Sequence, residues 1–222
     1  MIDRIAPPVP QVKYSGLCDY APVCSEMREF TLRRGIQTAD EFWVLEHTAV
    51  YTQGQAGRSE HILNPGGIPI VNSDRGGQVT YHGPGQLIIY TLIDIRRLGI
   101  GIRQLVSNLE AGVIALLGDL DLVGHRVEGA PGVYVGEEKI AALGLRIRSG
   151  CSYHGIAVNV NMDLSPFAGI NPCGYSGLQV TQLRNFGITL GVYDIAELLL
   201  GNLYSIMGLT PPDTGDQIRA SV

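Results

Sequence analysis

The chain has 222 residues, 45% of them hydrophobic and 17% charged, with a formal net charge of −5. That length suits one core rather than two domains, and the acidic balance argues against an electrostatic grip on nucleic acid. No run of about eighteen apolar residues exists to span a membrane, and Met1-Ile2-Asp3-Arg4 lacks the apolar core of a signal peptide, so a cytoplasmic chain without a membrane partner is expected.

In chain order, Val23, Met27 and Phe30 share one helical face that Gly35 can close. A strand pattern covers 41–51, and a second covers 86–95 after the turn Gly83-Pro84-Gly85. Leu105, Leu109, Val113 and Leu116 mark a second helix ended by Gly118. Strands over 132–135 and 139–148 are joined only by Gly136-Glu137-Glu138, which requires antiparallel pairing. A strand over 155–162 and a helix over 192–207 follow, and Pro211-Pro212-Asp213-Thr214-Gly215-Asp216 reads as a solvated tail. The class is α+β, with one domain over 1–208 and a polar tail over 209–222.

The run Arg75-Gly76-Gly77-Gln78-Val79-Thr80-Tyr81-His82 sets a charged, glycine-rich loop before a buried strand. Glycines there let a ligand approach bare peptide groups. Taken as physics alone, two tight turns flanking a hairpin explain these residues equally well. Arg28, Arg33 and Arg34, and separately Arg146 and Arg148, are either a docking patch for an acidic partner or simply solvated charges.

Cys18, Cys24, Cys151 and Cys173 show no paired spacing for zinc or redox work. Cys24 falls on the first helix and Cys151 on a loop after Gly150. Cys173 lies between Pro172 and Gly174, on a constrained turn that can expose the sulfur, though a lone loop cysteine is also compatible with no role. Lys139 heads a strand; regular alternation places it with Ala141, Leu143, Leu145 and Ile147, as either a snorkelling end residue or a partly desolvated amine. His47, His61, His82, His125 and His154 have no metal-ligand spacing, so no metal is expected.

The 75–90 run resembles the signature of the lipoate-biosynthesis octanoyltransferases. Further blocks are similar in the same order: Glu46-His47 with 50–57, Ala130-Pro131-Gly132-Val133-Tyr134-Val135 leading to Lys139, and Gly144-Leu145-Arg146-Ile147 leading through 159–164 to Asn171-Pro172-Cys173-Gly174. Ala49 stands where that family usually has proline. The resemblance implies a mixed, largely antiparallel sheet backed by helices, like the catalytic domains of biotin and lipoate protein ligases. It implies transfer of an octanoyl group from octanoyl-acyl carrier protein to a lysine of lipoyl domains, those of the 2-oxoacid dehydrogenases and of the glycine cleavage H protein, with no cofactor. It makes Cys173 the nucleophile and Lys139 its activating partner.

Under the same resemblance, Arg75, Gly76, Gly77, Gln78, Val79, Thr80, Tyr81 and His82 line the acyl channel. Main-chain amides near Leu143, Gly144, Gly155, Ile156 and Ala157 help hold the oxyanion, and small residues such as Ala142 leave room for the chain. His82 reads as a positioning group rather than a base. The rivals are an ATP-dependent ligase, a thioesterase and a non-enzymatic acyl-carrier binder.

Overall fold

Phe42 and Val44 are buried on one face of their strand and Trp43 and Leu45 on the other, so this strand must be covered on both sides. The computed structural model describes residues 8–172, 177–213 and 218–219, and supplies both covers. The elements run β1 (Gln11–Cys18), α1 (Tyr20–Arg33), β2 (Glu41–His47), β3 (Val50–Gln53), β4 (Ile70–Asn72), β5 (Val79–His82), β6 (Gln86–Leu92), α2 (Ile102–Asp119), β7 (Gly124–Val127), β8 (Ala130–Val135), β9 (Glu138–Arg148), β10 (Cys151–Asn159), α3 (Val192–Met207) and β11 (Ile218–Arg219). Eight strands form one sheet in the order β11-β1-β2-β6-β10-β9-β8-β7, and β4-β3-β5 form a smaller one. Among the described strands, only β1 with β2 and β11, and β3 with β4, pair in parallel; the fold is the expected mixed, largely antiparallel α+β class.

Helices α2 and α3 cover one face of the large sheet. Leu105, Leu109, Val113 and Leu116 of α2 are fully buried with Leu199 and Leu203 of α3 and with Leu87, Ile89 and Val158 of the sheet. Each such side chain contributes about 1.5–3 kcal/mol of burial, which is why their 3.6-residue spacing was legible. Helix α1 covers the other face through Val23, Cys24 and Met27, packed on Trp43, Leu45, Ile88 and Tyr153.

Several boundaries differ from the sequence expectation. The strand expected over 41–51 is two strands in two sheets: after His47 the chain turns, Thr48 N–H bonds to Cys18 O, and β3 pairs with β4 and β5. Continuous apolar character carries no information about which sheet it joins. β10 starts at Cys151 rather than 155, so Cys151 is a buried strand residue and not a loop thiol. Val79–His82 is a strand, and the loop before it is shorter than expected. β1 was missed because Gln11, Lys13 and Ser15 dilute its apolar pattern.

Candidate active site

Register across three strands builds a trough on the α1 face of the sheet. Ile88, Ala157 and Ala142 stand in one row, and Tyr90, Gly155 and Gly144 in the next, because Ala157 pairs with Ile88 and Ala142 while Gly155 pairs with Tyr90 and Gly144. The four small residues leave a floor with no side chain larger than a methyl, walled by Ile88 and Tyr90. At Gly155 no larger residue fits, since a Cβ would lie 2.0 Å from Ile89 O. The resulting cleft is narrow, with a cavity volume of about 60 Å³. Gly77, Val79, Thr80 and His82 roof it.

Leu143 and Ile156 also border the cleft, but their side chains pack with the opposite core, so they offer main chain. Strand β10 is paired on both edges, which commits the amides of Gly155, Ile156 and Ala157 to the ladder. β9 is different: Leu145 O, on its outer edge, accepts from Gly76 N–H at 2.9 Å, and alternation puts the Leu143 amide on that same edge.

Arg75 borders the cleft and is at the same time a buried staple. Its Nε and Nη2 donate to Thr52 Oγ1 at 3.1 and 2.8 Å, Nη2 also donates to Thr52 O and Gln78 O, and Nη1 donates to Gly76 O. The guanidinium thereby welds the 75–78 loop to β3, with its stem beside Gly144. Gln78, Val79, Thr80 and Tyr81 follow from this anchor; Tyr81 turns away from the cleft to pack on Tyr51 and Phe167.

One end of the cleft is a buried polar cluster that the sequence did not announce. His47 Nδ1–H donates to Cys18 O at 2.9 Å and its Nε2 meets Tyr90 OH at 2.7 Å. Tyr20 OH contacts Ser73 Oγ at 2.6 Å, and its ring stacks on His82. Burial pushes the His47 pKa down to about 4 and the Tyr20 hydroxyl up to about 12. Burial, reinforced by His47 and the Arg75 cation, pushes His82 down to about 3. These groups are neutral at physiological pH.

His154 sits at that end too, in a strained backbone with φ +60°, and its ring stacks on Tyr153. Its Nε2 donates to Asp74 Oδ1 at 2.9 Å, while Tyr153 OH and Arg28 Nε donate to Oδ2. Burial of Asp74 opposes its charge, but these three donors outweigh it and hold the carboxyl well below the usual range. Cys24, Asp74 and His154 place candidate metal-ligand atoms within 4.8 Å of one another, a grouping no sequence spacing could reveal. The donor set suits a cation poorly, because Asp74 is already shared among three donors and one is the Arg28 guanidinium.

A second, small pocket adjoins the cleft at Thr80 and Ala142, which line both, and is bordered by Lys139, Asn159, Phe167, Pro172 and Val180. Lys139 is 3% exposed and does not snorkel. Its expected column with Ala141 also fails: Val133 pairs with Ala141 but Tyr134 with Lys139, so Ile140 is an extra residue that breaks the alternation. Lys139 Nζ donates to Pro131 O at 3.0 Å and lies 5.1 Å from the Tyr134 ring centre. Gly132, at φ +136°, gives its stem room, since a Cβ there would meet Lys139 Cε at 3.1 Å. Glu110 Oε1 fixes this cradle by accepting from Gly132 N–H at 3.0 Å. Cys173 lies outside the described residues, directly after Pro172. Of the basic residues considered for docking, Arg34 is buried against Asp40 and unavailable.

A mixed sheet of this topology, covered by helices on both faces and carrying a small-residue trough beside a buried lysine, defines a class: residues 23–203 match the lipoyl protein ligase A/B catalytic domain, and the chain belongs to that family. Among its relatives is the octanoyltransferase of Dechloromonas aromatica (strain RCB), 57% identical over 194 residues, covering 87% of this chain and 95% of that protein. The same fold recurs in a bi-partite lipoate protein ligase from Thermoplasma acidophilum (TM-score 0.74, 14% identity, 96% of this chain and 88% of that one). It recurs again in the biotin protein ligase of Aquifex aeolicus in complex with biotin and ATP (TM-score 0.58, 13% identity, 89% and 70%). No helix among the described residues is long and apolar enough to cross a membrane.

Proposed function

We propose that this protein is an acyltransferase that moves an octanoyl group from octanoyl-acyl carrier protein to a lysine of a lipoyl domain, through a thioester on Cys173. The observation that carries the reading is a pair of adjoining pockets: a floor of Ala142, Gly144, Gly155 and Ala157 suits an alkyl chain, and the neighbouring pocket, which shares Thr80 and Ala142 with it, is bordered by Lys139 and Pro172, the residue before Cys173. The names of relatives more than half identical to this chain support it. Acceptors of this class are the lipoyl domains of 2-oxoacid dehydrogenases and the glycine cleavage H protein.

In the reaction, the Lys139 ammonium favours the Cys173 thiolate, which attacks the thioester carbonyl carbon. The new carbon–sulfur bond forms, the carrier thiolate leaves, and Lys139 gives it a proton. Neutral Lys139 then removes a proton from the incoming lysine amine as nitrogen attacks the acyl-enzyme, the Cys173 thiolate departs, and the starting charges are restored. The Leu143 amide on the open edge of β9 is the main-chain donor best situated for the oxyanion. Because the donor arrives as a thioester, amide formation runs downhill without nucleotide.

Intact mass after mixing with octanoyl carrier protein tests this. A Cys173-dependent gain of one octanoyl group, chased off by a lipoyl domain that becomes octanoylated, is expected; Cys173→Ser should take up none and Lys139→Ala should load slowly. Acceptor modification that requires ATP and free acid, without an adduct, would replace this reading with a ligase.

A further inference from the structure

Two buried side chains, Gln86 and Asn159, join His82 to the main chain beside Lys139. Asn159 Nδ2 donates to Thr181 O at 2.9 Å, Gln86 Nε2 donates to Asn159 Oδ1 at 2.9 Å, and Gln86 Oε1 lies 2.7 Å from His82 Nδ1. Gln86, Asn159 and Thr181 are 2, 5 and 1% exposed, so their polar atoms must find partners inside the protein, and His82 is 7% exposed. Thr181 belongs to the segment that flanks Lys139: Lys139 N–H donates to Gln179 O, and Thr181 N–H donates to Lys139 O, both at 3.0 Å.

Donor and acceptor logic runs one way along this chain. A peptide carbonyl can only accept, so Asn159 must turn its amide nitrogen to Thr181 and its oxygen to Gln86. Gln86 must then offer nitrogen to Asn159 and oxygen to His82. An oxygen facing His82 Nδ1 requires that nitrogen to carry the proton. The opposite ring nitrogen, Nε2, is left with its lone pair; among the described residues it has no polar partner, and the ring lines the cleft.

We propose that Thr181, Asn159 and Gln86 act as a positioning relay that locks His82 as the Nδ1–H tautomer, so that Nε2 accepts a hydrogen bond from an N–H of the incoming lysine amine. This rests on the transferase reading given above. Lys139 takes one proton of the amine, and His82 holds a second N–H and aims the nitrogen lone pair at the acyl carbon. The 179–181 segment holds both the Lys139 main chain and, through Asn159 and Gln86, the His82 ring. Burial of His82 supports the assignment by keeping the ring neutral. Gln86 and Asn159 touch no substrate; they act through His82.

The test has two independent readouts. Long-range proton–nitrogen NMR on nitrogen-15 histidine-labelled protein at pH 7 should show His82 with protonated Nδ1 and a bare Nε2. An Nε2–H tautomer or an imidazolium overturns the proposal, whatever the activity. In single-turnover mass spectrometry, Gln86→Met should mix the two tautomers and slow discharge of the octanoyl-enzyme to the lipoyl domain about tenfold, with loading from the carrier changed less than about twofold. Equal losses in both half-reactions, or no loss, refute the positioning role. If Gln86→Met does not fold, Asn159→Asp serves in its place, and the NMR result on the unaltered protein stands by itself. Failure of the acyl-enzyme to form at all would sink the transferase reading while leaving the tautomer measurement intact.

Discussion

Replacing Gly132 by alanine should disturb the fold and the Lys139 cradle together. At φ +136° this residue lies outside the conformations that L side chains occupy, a strain of about 1–3 kcal/mol. The added Cβ would stand 2.6 Å from Ala141 O and 3.1 Å from Lys139 Cε. Ala141 O belongs to the paired strand β9 and cannot yield as a side-chain tip can, so overpacking adds roughly 1–3 kcal/mol. The expected total is about 2–6 kcal/mol, a large share of a typical domain stability of about 5–15 kcal/mol. Gly208→Ala is the control: it sits at φ +63° at the end of α3 with nothing within 4 Å, so only the backbone term of about 1–2 kcal/mol applies. Urea unfolding of both variants separates the contributions. Gly132→Ala should lose about 1–3 kcal/mol more than Gly208→Ala, and the folded fraction should transfer octanoyl more slowly. Equal losses in the two variants would show that Lys139 is not confined as described.

Two further outcomes follow from the cleft. Ala142→Leu puts three more carbons where the trough meets the Lys139 pocket, displacing about three methylenes of an octanoyl chain at roughly 0.8 kcal/mol each, so kcat/KM with octanoyl carrier should fall about fiftyfold or more while a butyryl donor is affected little; equal losses for both donors would show that the trough does not hold the chain. The buried neutral histidines set an acid limit: His47, with its folded pKa lowered to about 4 from 6.5, binds its proton less readily folded than unfolded, so its contribution is complete above about pH 6.5 and is lost as pH falls towards 4. The loss approaches about 1.4 kcal/mol per pH unit in that window, roughly 3 kcal/mol in all. Urea titrations between pH 6.5 and 4 should show a shallower slope for His47→Gln, and an unchanged slope would mean that His47 is not the titrating group.

How much was legible depended on whether a signal was local. Leu105, Leu109, Val113 and Leu116 announced α2 because one buried helix face repeats in sequence, and the short connection read at 136–138, two residues long in the structure, required a hairpin. Ala142, Gly144, Gly155 and Ala157 could be recognised as small, but only the β9–β10–β6 register sets them in two adjacent rows and makes a trough. Arg75 was visible as a charge beside glycines; that it spends its guanidinium on Thr52 depends on β3 arriving from 23 residues earlier in the chain. The break after His47 was invisible because apolar residues favour burial without naming a sheet. Lys139 was singled out on strand alternation, and the bulge at Ile140 overturned that argument while burying the amine more fully than a regular strand end.

The sequence by itself determined which residues seek the interior, where helices repeat and which polar groups lie beside flexible turns, since these follow from side-chain chemistry acting on near neighbours. Only the tertiary structure decided what those groups face. His154 meets Asp74 across 80 positions, and Gln86 meets Asn159 across 73. Such pairings are fixed by strand order and register, and a buried donor has no water to turn to if its distant acceptor fails to arrive.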